Sequence, residues 1–528
     1  MVLIGLASLA LAAPAGAAQP NIVLIVTDDQ RWDTLAHMPT VQSELAGRGV
    51  SFENGFVTNP LCCPSRASIL TGAYSHTNRV YMNDGFMGGF NGFRDESTVA
   101  TWLDDVGYET ALVGKYLNGY PGSYVPPGWD RWVAFTKTGY YRYGFNIDGE
   151  DFPITDQTTY STDFLSQEAV SFLQAATRPF FLYFAPFAPH EPATPADRHK
   201  SAFSSLPAWR PPSYNEWNVS DKPLWVQAKA RLDAAQSAKL DAFRIRQLGS
   251  LLAVDEAIGS ILQTLSRTGD LSNTLIVFMS DNGYLWGEHR LRGKTYPYEE
   301  SIRTPFVVRY DALVGTARAD ARPVLGIDVA PTFAALAGTA APGADGRSIL
   351  PLLGAEDGMS WRTRFLVESM GANPPTYCAV RTLRYAFVTY STGGRELYDL
   401  ATDPYELRNR AGEPASAKTV VGLRKGLARL CNPPPPGLSR RLLCTDVGTN
   451  GTDRLVGSAR YDIVCARGGD DWIDAGAAAD YVFADEGNDR ILARDGYADV
   501  ISCGPGNDVA RVDFVDRLRS NCERVSRG

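Results

Sequence analysis

Residues 21–29 read NIVLIVTDD, and residues 275–282 read LIVFMSDN. Each is a short apolar run that ends abruptly in adjacent oxygen-bearing side chains. Runs rich in Val, Ile and Leu, and too short for a helix, are the mark of strands buried on both faces of a sheet. Ligands of open parallel sheets bind beyond the carboxyl ends of the strands. Two such endings in one chain can therefore bring Asp28, Asp29, Asp281 and Asn282 around a single hard cation. Either ending alone is more often a turn or a helix cap; it is the pair that points to a metal.

Outward from these runs, further strands are expected at residues 110–113, 179–184 and 306–308, with helices at 162–175 and 238–265. In the longer helix Leu240, Leu248, Leu251, Leu252, Ile258, Ile261, Leu262 and Leu265 trace one apolar face. The alternation predicts an α/β fold, a mostly parallel sheet covered by helices on both sides. A smaller piece follows, with a strand at 385–390 and an exposed helix at 417–430. The run 433–436, four consecutive prolines, reads as a stiff linker.

Length and composition are consistent with this. A chain of 528 residues, 44% apolar and 21% charged, exceeds one compact domain and can bury a large core. The net charge of −8 argues against nucleic acid as a partner. The first residues are apolar up to Ala13 and then small, with Ala15, Gly16, Ala17 and Ala18, the pattern of a secretory signal peptide over 1–18. An uncleaved anchor is the alternative, but the run is short for a bilayer and no other segment is apolar enough, so the protein is expected to be exported and not membrane-embedded. Its eight cysteines permit some bridges. Cys431 and Cys444 flank the prolines and Cys503 and Cys522 flank the chain end, and both spacings suit local staples.

Beyond the prolines a nine-residue period begins. Asp453, Asp462, Asp471, Asp480 and Asp489 are nine apart; after a ten-residue step Asp499 and Asp508 are nine apart again. Two positions after each stands Leu455, Val464, Ile473, Val482, Ile491, Ile501 or Ala510. This is the pattern of the Ca²⁺-binding nonapeptide repeat, a parallel β-roll with the apolar residue in a narrow core. Gly451, Gly469, Gly487 and Gly506 precede alternate aspartates by two, whereas Arg460, Ala478 and Tyr497 precede the others. The expectation is one edge with Ca²⁺ along Asp453, Asp471, Asp489 and Asp508 and a second, decayed edge. A roll that folds without metal is the competing reading.

Residues 61–72, LCCPSRASILTG, carry the chemistry. Pro64 is placed to open a helix, and the residues before it face free backbone N–H groups, where a cysteine is reactive and an anion is welcome. A vicinal disulfide between Cys62 and Cys63, or two buried thiols, are the alternatives, and chemistry alone does not choose. The stretch also matches, at every fixed position, the signature C-x-P-S-R-x-x-x-L-T-G of the formylglycine-dependent sulfatases. The resemblance extends to Asp28–Asp29, Gly114–Lys115, Pro189–His190, Asp281–Asn282, Gly293–Lys294 and Tyr298–Glu299, and spans roughly residues 20–430.

That resemblance implies an alkaline-phosphatase-like α/β/α sandwich over 20–345 and a smaller C-terminal subdomain over 346–431; the proline-rich linker then takes 432–444 and the repeats 445–526. It implies that a separate formylglycine-generating enzyme oxidises Cys62, and that the hydrate supplies the attacking oxygen. Asp28, Asp29, Cys62 in its modified form, Asp281 and Asn282 would hold Ca²⁺, Arg66, Lys115 and Lys294 would bind the sulfate, and His190 would attend the leaving oxygen. Where many sulfatases have histidine two residues after the first lysine, this chain has Leu117, and Asn118, His76 and His289 are candidates for its role. The string Gly114-Lys115-Tyr116-Leu117-Asn118, the run 122–129 (GSYVPPGW) and the doubled cysteine resemble N-acetylglucosamine-6-sulfatases, which implies glucosamine-6-sulfate in glycans as substrate. Gly119, in place of the usual glutamate, and Gly287-Glu288-His289 look more like bacterial sulfatases of mixed specificity. An arylsulfatase, a phosphate or phosphonate monoester hydrolase, and a catalytically silent exported Ca²⁺-dependent binder are the rival readings.

Overall fold

The computed structural model describes residues 19–354, 358–519 and 521–528. The expected signal segment over 1–18 lies outside the described residues. A ten-stranded mixed sheet is built from residues between 21 and 320. Its strands are β1 (Asn21–Thr27), β2 (Val50–Phe52), β3 (Glu109–Gly114), β4 (Arg131–Lys137), β5 (Gly144–Ile147), β6 (Glu150–Pro153), β7 (Phe180–Ala185), β8 (Thr274–Ser280), β9 (Phe306–Arg309) and β10 (Arg318–Asp320). Their spatial order is β10-β2-β9-β8-β1-β7-β3-β4-β5-β6. The centre is parallel: β1 pairs with β7 and β8, with Ile22 opposite Phe181 and Leu275. The expected strand at 306–308 is present as β9, but it runs antiparallel to β8.

Because successive strand residues point to opposite faces, β1 feeds two separate cores. Ile22, Leu24 and Val26 pack with α1 (Cys62–Thr71) and α4 (Val329–Ala337) on one face. Val23 and Ile25 pack on the other face with α2 (Ser161–Ala175) and α3 (Ala234–Thr268). Of the apolar stripe expected on the long helix, Leu251, Ile258, Ile261, Leu262 and Leu265 join that second core, Leu240 and Leu248 are buried outside it, and Leu252 is half-buried. Among the described residues α3 is the one helix long and apolar enough to cross a membrane, and 72% of its most apolar window is buried within the protein.

The smaller subdomain is a four-stranded antiparallel sheet, β11 (Arg364–Ala372), β12 (Pro375–Thr382), β13 (Tyr385–Tyr390) and β14 (Arg395–Asp399). It is covered by α5 (Ala417–Leu430), which buries Val420, Gly426, Leu427 and Ala428. The helix expected to be exposed therefore has a packed face.

Two sequence expectations give way at the junction that follows. Cys431 bonds to Cys378 of β12 and Cys444 to Cys465 of the first coils, so these two cysteines do not staple the prolines; Cys503–Cys522 forms as the spacing suggested. The segment 432–444 is also not a free spacer. Leu438 and Leu443 are buried in one cluster with Leu366 and Val380 of the subdomain and Ile463 and Phe483 of the repeats. The prolines stiffen the chain, but the two leucines behind them wedge the repeats against the subdomain.

The repeats form two five-stranded parallel sheets in which alternate coils stack. Val464, Val482 and Ile501 are in register on one sheet; Leu455, Ile473, Ile491 and Ala510 are in register on the other. All but Leu455, which packs at the end, are buried in one core. Aspartate ladders run up both edges. The backbone N–H of Asp471 donates to Asp489 Oδ1 at 2.8 Å, and Asp489 N–H to Asp508 Oδ1 at 2.8 Å. On the second edge Asp462 N–H donates to Asp480 Oδ1 at 2.7 Å and Asp480 N–H to Asp499 Oδ1 at 2.7 Å. The edge expected to have decayed keeps its ladder, because the ladder needs only a carboxylate and the N–H one coil away. Glycine is needed where coils approach most closely: a Cβ on Gly487 would lie 2.1 Å from the Gly469 carbonyl oxygen.

Candidate active site

The carboxyl ends of β1 and β8 meet, since Thr27 pairs with Ser280. Asp28 and Asp29 leave β1, and Asp29 sits at φ 70°, a left-handed conformation that aspartate tolerates better than most residues. Its N–H donates to Asp281 Oδ1 at 3.1 Å, and its Oδ1 accepts from Asn282 Nδ2 at 2.7 Å. Asp28, Asp29, Asp281 and Asn282 are all buried.

α1 brings the nucleophile candidate to the same point. It has no side-chain cap at Leu61, so its first-turn N–H groups look for partners; that of Cys63 donates to Asn83 Oδ1 at 2.9 Å. Asn83 lies twenty residues downstream with no local pattern to announce it, and sequence reading did not find it. Cys62 and Cys63 are both free and buried, which rules out the vicinal disulfide. Cys62 Sγ lies 3.4 Å from Asp28 Oδ1 and 2.7 Å from Lys294 Nζ. Burial, with Asp28 beside it, pushes the Cys62 thiol up to about 12. An unmodified Cys62 is thus a protonated thiol, not the thiolate that cysteine nucleophiles require.

Three cations close the cluster. Arg66 Nε donates to Asp281 Oδ2 at 2.8 Å, Lys115 Nζ lies 2.5 Å from Asp28 Oδ2, and Lys294 Nζ lies 2.5 Å from Asp29 Oδ1. Lys115 follows Gly114, whose φ of 130° lets β3 end against β7; a Cβ there would lie 2.0 Å from the Ala185 carbonyl oxygen. Burial alone would raise the Asp28 carboxyl, but Lys115, His190, Arg66 and Lys294 together hold it far below the usual carboxylate range. Asp281 moves the other way, raised by burial and by the Asp28 charge. Burial opposes the Lys294 charge, yet Asp29 and the neighbouring acids raise its pKa well above that of an ordinary lysine.

His190 enters from the loop after β7. Its Nδ1 lies 2.8 Å from the Glu191 carbonyl oxygen, which can only accept, so Nδ1 carries a proton and Nε2 is left facing Asp29 Oδ2 at 3.7 Å. The imidazole is 28% exposed, the most open group of the cluster. His76 and His289 are not part of it. His76 Nδ1 is 2.9 Å from Glu368 Oε1, and His289 is fully buried with Nδ1 2.7 Å from Glu216 Oε2. Leu117 is buried in the core.

The oxygen donors fit a hard cation: Asp28 and Asp29 present ligand atoms within 4.8 Å of one another, beside the Cys62 and His190 side chains, and the buried Oδ1 of Asn282 has no hydrogen-bond partner. Three buried carboxylates face two buried cations, Arg66 and Lys115, and the part-exposed Lys294, so one divalent ion would leave a net positive pocket able to receive an anion.

The sulfatase family model matches residues 20–339, more than half of the chain. The chain belongs to the sulfatase family. The model for the C-terminal region of N-sulphoglucosamine sulphohydrolase matches 287–432, and the RTX calcium-binding nonapeptide repeat (4 copies) matches 447–491, 466–500 and 476–510. The sulfatase is 34% identical to N-acetylglucosamine-6-sulfatase of Homo sapiens over 68% of each chain. It is 33% identical to the extracellular sulfatase SULF-1 homolog of Drosophila melanogaster over 67% of this chain, but spans only 33% of that relative's length. It spans 52% of the length of the putative extracellular sulfatase Sulf-1 homolog of Caenorhabditis elegans. The fold is that of BT4656 in complex with its substrate D-glucosamine-2-N,6-O-disulfate, with TM-score 0.69, 25% identity, and coverage of 78% of this chain and 98% of that one. Phosphonate monoester hydrolase of Agrobacterium radiobacter shares the fold at TM-score 0.65 and 23% identity, over 78% of this chain and 95% of that one.

Proposed function

We propose that this chain is an exported sulfuric ester hydrolase that removes sulfate from the 6-oxygen of glucosamine in glycans. Cys62, converted to formylglycine by a separate maturation enzyme, is the nucleophile, and Asp28, Asp29, Asp281 and Asn282 hold Ca²⁺. The observation that carries the reading is the Cys62 side chain itself, fixed between Asp28 and Lys294 inside a set of three buried acids and three cations. A catalytically silent binder has no need of so many buried charges, each costly to desolvate. The substrate class rests on the human N-acetylglucosamine-6-sulfatase relative and the glucosamine disulfate of the BT4656 complex. Extracellular relatives support export. The boundaries taken for the proposal are 20–345 for the catalytic domain, 346–431 for the subdomain and 445–526 for the repeats.

Arg66, Lys115 and Lys294 form a preorganised cradle for the sulfate oxygens, whose charge grows during S–O cleavage. Water is largely excluded there, so each fixed charge counts for more than it would in solvent. Ca²⁺, when bound, supplies Lewis-acid polarisation of the sulfate. His190 is positioned with Nε2 toward the reacting centre and its Nδ1–H held by a carbonyl; as the imidazolium it would carry a second proton on Nε2 to deliver to a leaving oxygen. In the repeats, Ca²⁺ along Asp453, Asp471, Asp489 and Asp508 would satisfy buried carboxylate oxygens that lack partners at Asp471, Asp489 and Asp508.

The shared fold of phosphonate monoester hydrolase favours a second reading, hydrolysis of a phosphate or phosphonate monoester. Hydrolysis of N-acetylglucosamine-6-sulfate, a nitrophenyl sulfate and a phenylphosphonate ester, followed as sulfate or phenol released and compared on matured protein, separates the two. The amino sugar is expected to have the highest kcat/KM; preference for the phosphonate would replace the sulfatase reading.

A further inference from the structure

A second cluster of ligand-type groups lies away from Cys62, where the loop that carries Lys294 meets the subdomain. His289, Glu300 and Glu406 each present a ligand atom within 4.8 Å of the other two. All three are buried, at 0%, 6% and 2% exposure. His289 Nε2 and Glu300 Oε2 are buried polar atoms without a hydrogen-bond partner. Leaving such atoms unsatisfied is costly.

The surroundings fit a cation. His289 Nδ1 is held by Glu216 Oε2 at 2.7 Å, which fixes the ring and leaves Nε2 free, as carboxylates behind metal-binding histidines do. The ring is further pinned by stacking on Tyr298 with centroids 4.3 Å apart. Glu406 is steadied by the Glu299 N–H, which donates to its Oε2 at 3.1 Å. His289 sits at φ 51° and Arg290 at φ 64°, so the loop holds a left-handed pair of non-glycine residues at this point. Acidic groups crowd the region: Glu216, Glu288, Glu299, Glu300, Glu396 and Glu406 are all buried, and Arg31, Lys222, Arg303 and Arg381 are the cations within 4.0 Å of some of them.

We propose that His289 Nε2, Glu300 and Glu406 bind one divalent transition-metal ion, for which zinc is the best match, and that this ion pins the Lys294 loop to the subdomain. One imidazole and two carboxylates are a zinc-type set, whereas Ca²⁺ takes oxygen ligands only. Ligand atoms around a tetrahedral zinc sit about 3.4 Å apart, from bond lengths near 2.1 Å, so small side-chain rotations complete the site. Glu300 and Glu406 come from the catalytic domain and from the loop after β14, and His289 lies five residues before Lys294 in the same loop. The ion is therefore a positioning element for Lys294, not a participant in the reaction.

The test uses the full chain, passed through gel filtration in chelator-free, metal-depleted buffer and analysed for zinc and other transition metals by elemental analysis. The expected result is one equivalent of zinc per chain, lost in His289→Gln and in Glu300→Leu. Protein grown on cobalt should show visible ligand-field absorption that Glu300→Leu lacks. Glu216→Gln should keep the site but bind the metal about 10–100-fold more weakly. Under a tenth of an equivalent of any transition metal in the unmutated chain, with no cobalt band, overturns the proposal and leaves protonated carboxyls as the explanation. Full stoichiometry retained in folded His289→Gln and Glu300→Leu overturns it as well. If these variants fail to fold, the metal content and cobalt spectrum of the unmutated chain decide alone.

Discussion

Replacing Lys294 with Met removes one of three cations from a buried set of three acids while keeping most of the side-chain volume. Lys294 Nζ is 2.5 Å from Asp29 Oδ1 and 2.7 Å from Cys62 Sγ, and the side chain is 15% exposed. Breaking a buried ion pair by removing one partner costs about 3–5 kcal/mol. Asn282 Nδ2 still donates to Asp29 Oδ1, which places the loss at the lower end, about 3 kcal/mol. That loss should shrink when Ca²⁺ is present, because the ion takes up the Asp29 charge that the lysine leaves behind. For the same reason Lys294→Met should bind Ca²⁺ more tightly than the unmutated chain. Turnover responds differently. Lost stabilisation of developing charge lowers kcat by about 10²–10³, or about 2.7–4 kcal/mol, and added calcium does not restore it. Calorimetry in EGTA and in millimolar Ca²⁺, beside kcat for sulfate release, reads all three effects. A fall in kcat of less than about fivefold, or an equal loss of stability with and without Ca²⁺, would refute this account of Lys294.

Other expectations follow from single features. His190→Gln should lower kcat by about 10²–10⁴ with little change in melting temperature, since the group is part-exposed and its loss removes proton transfer only; an unchanged kcat would remove His190 from the mechanism. In the repeats, burial pushes Asp480 up to about 8 and Asp489 and Asp499 up to about 7, from 3.8. The folded form thus binds more protons than the unfolded one between those values, so without calcium its stability is greatest in acid and falls as pH rises toward 8. Calcium, which binds the ionised carboxylates of the Asp471–Asp489–Asp508 edge, should offset the part of that fall due to Asp489 and leave the part due to Asp480 and Asp499, and circular dichroism melts at pH 5 and 8 with and without calcium measure it. Gly487→Ala forces a methyl to within 2.1 Å of the Gly469 carbonyl oxygen and should loosen the roll, read as faster proteolysis beyond residue 444 with sulfate release unchanged.

The catalytic half of the fold was legible because its signals are local. β1 and β8 announce themselves by short apolar runs, and their terminal Asp28–Asp29 and Asp281–Asn282 pairs meet because parallel strands align their carboxyl ends. The roll was legible from its period, and its apolar positions are its core. What was not legible depends on contacts between distant segments. Cys431 and Cys444 look like partners along the chain, but α5 delivers Cys431 to β12 and the first coils deliver Cys465 to Cys444. The second roll edge was read as decayed from its missing glycines, whereas its ladder rests on Asp462, Asp480 and Asp499. His289 stands as a candidate for the role of the histidine absent at Leu117, whereas the fold sets it beside Glu300 and Glu406, which no local pattern connects.

The central claim, a sulfatase whose nucleophile is made from Cys62, is tested most directly by measuring conversion and turnover on the same samples. Preparations made with graded amounts of a formylglycine-generating enzyme would be assayed for sulfate release from N-acetylglucosamine-6-sulfate, and the Cys62 peptide of each analysed by mass spectrometry. The account predicts turnover proportional to the fraction of Cys62 converted to the aldehyde, and none in Cys62→Ala. Full turnover from protein whose Cys62 is still a thiol, or from Cys62→Ala, would contradict it.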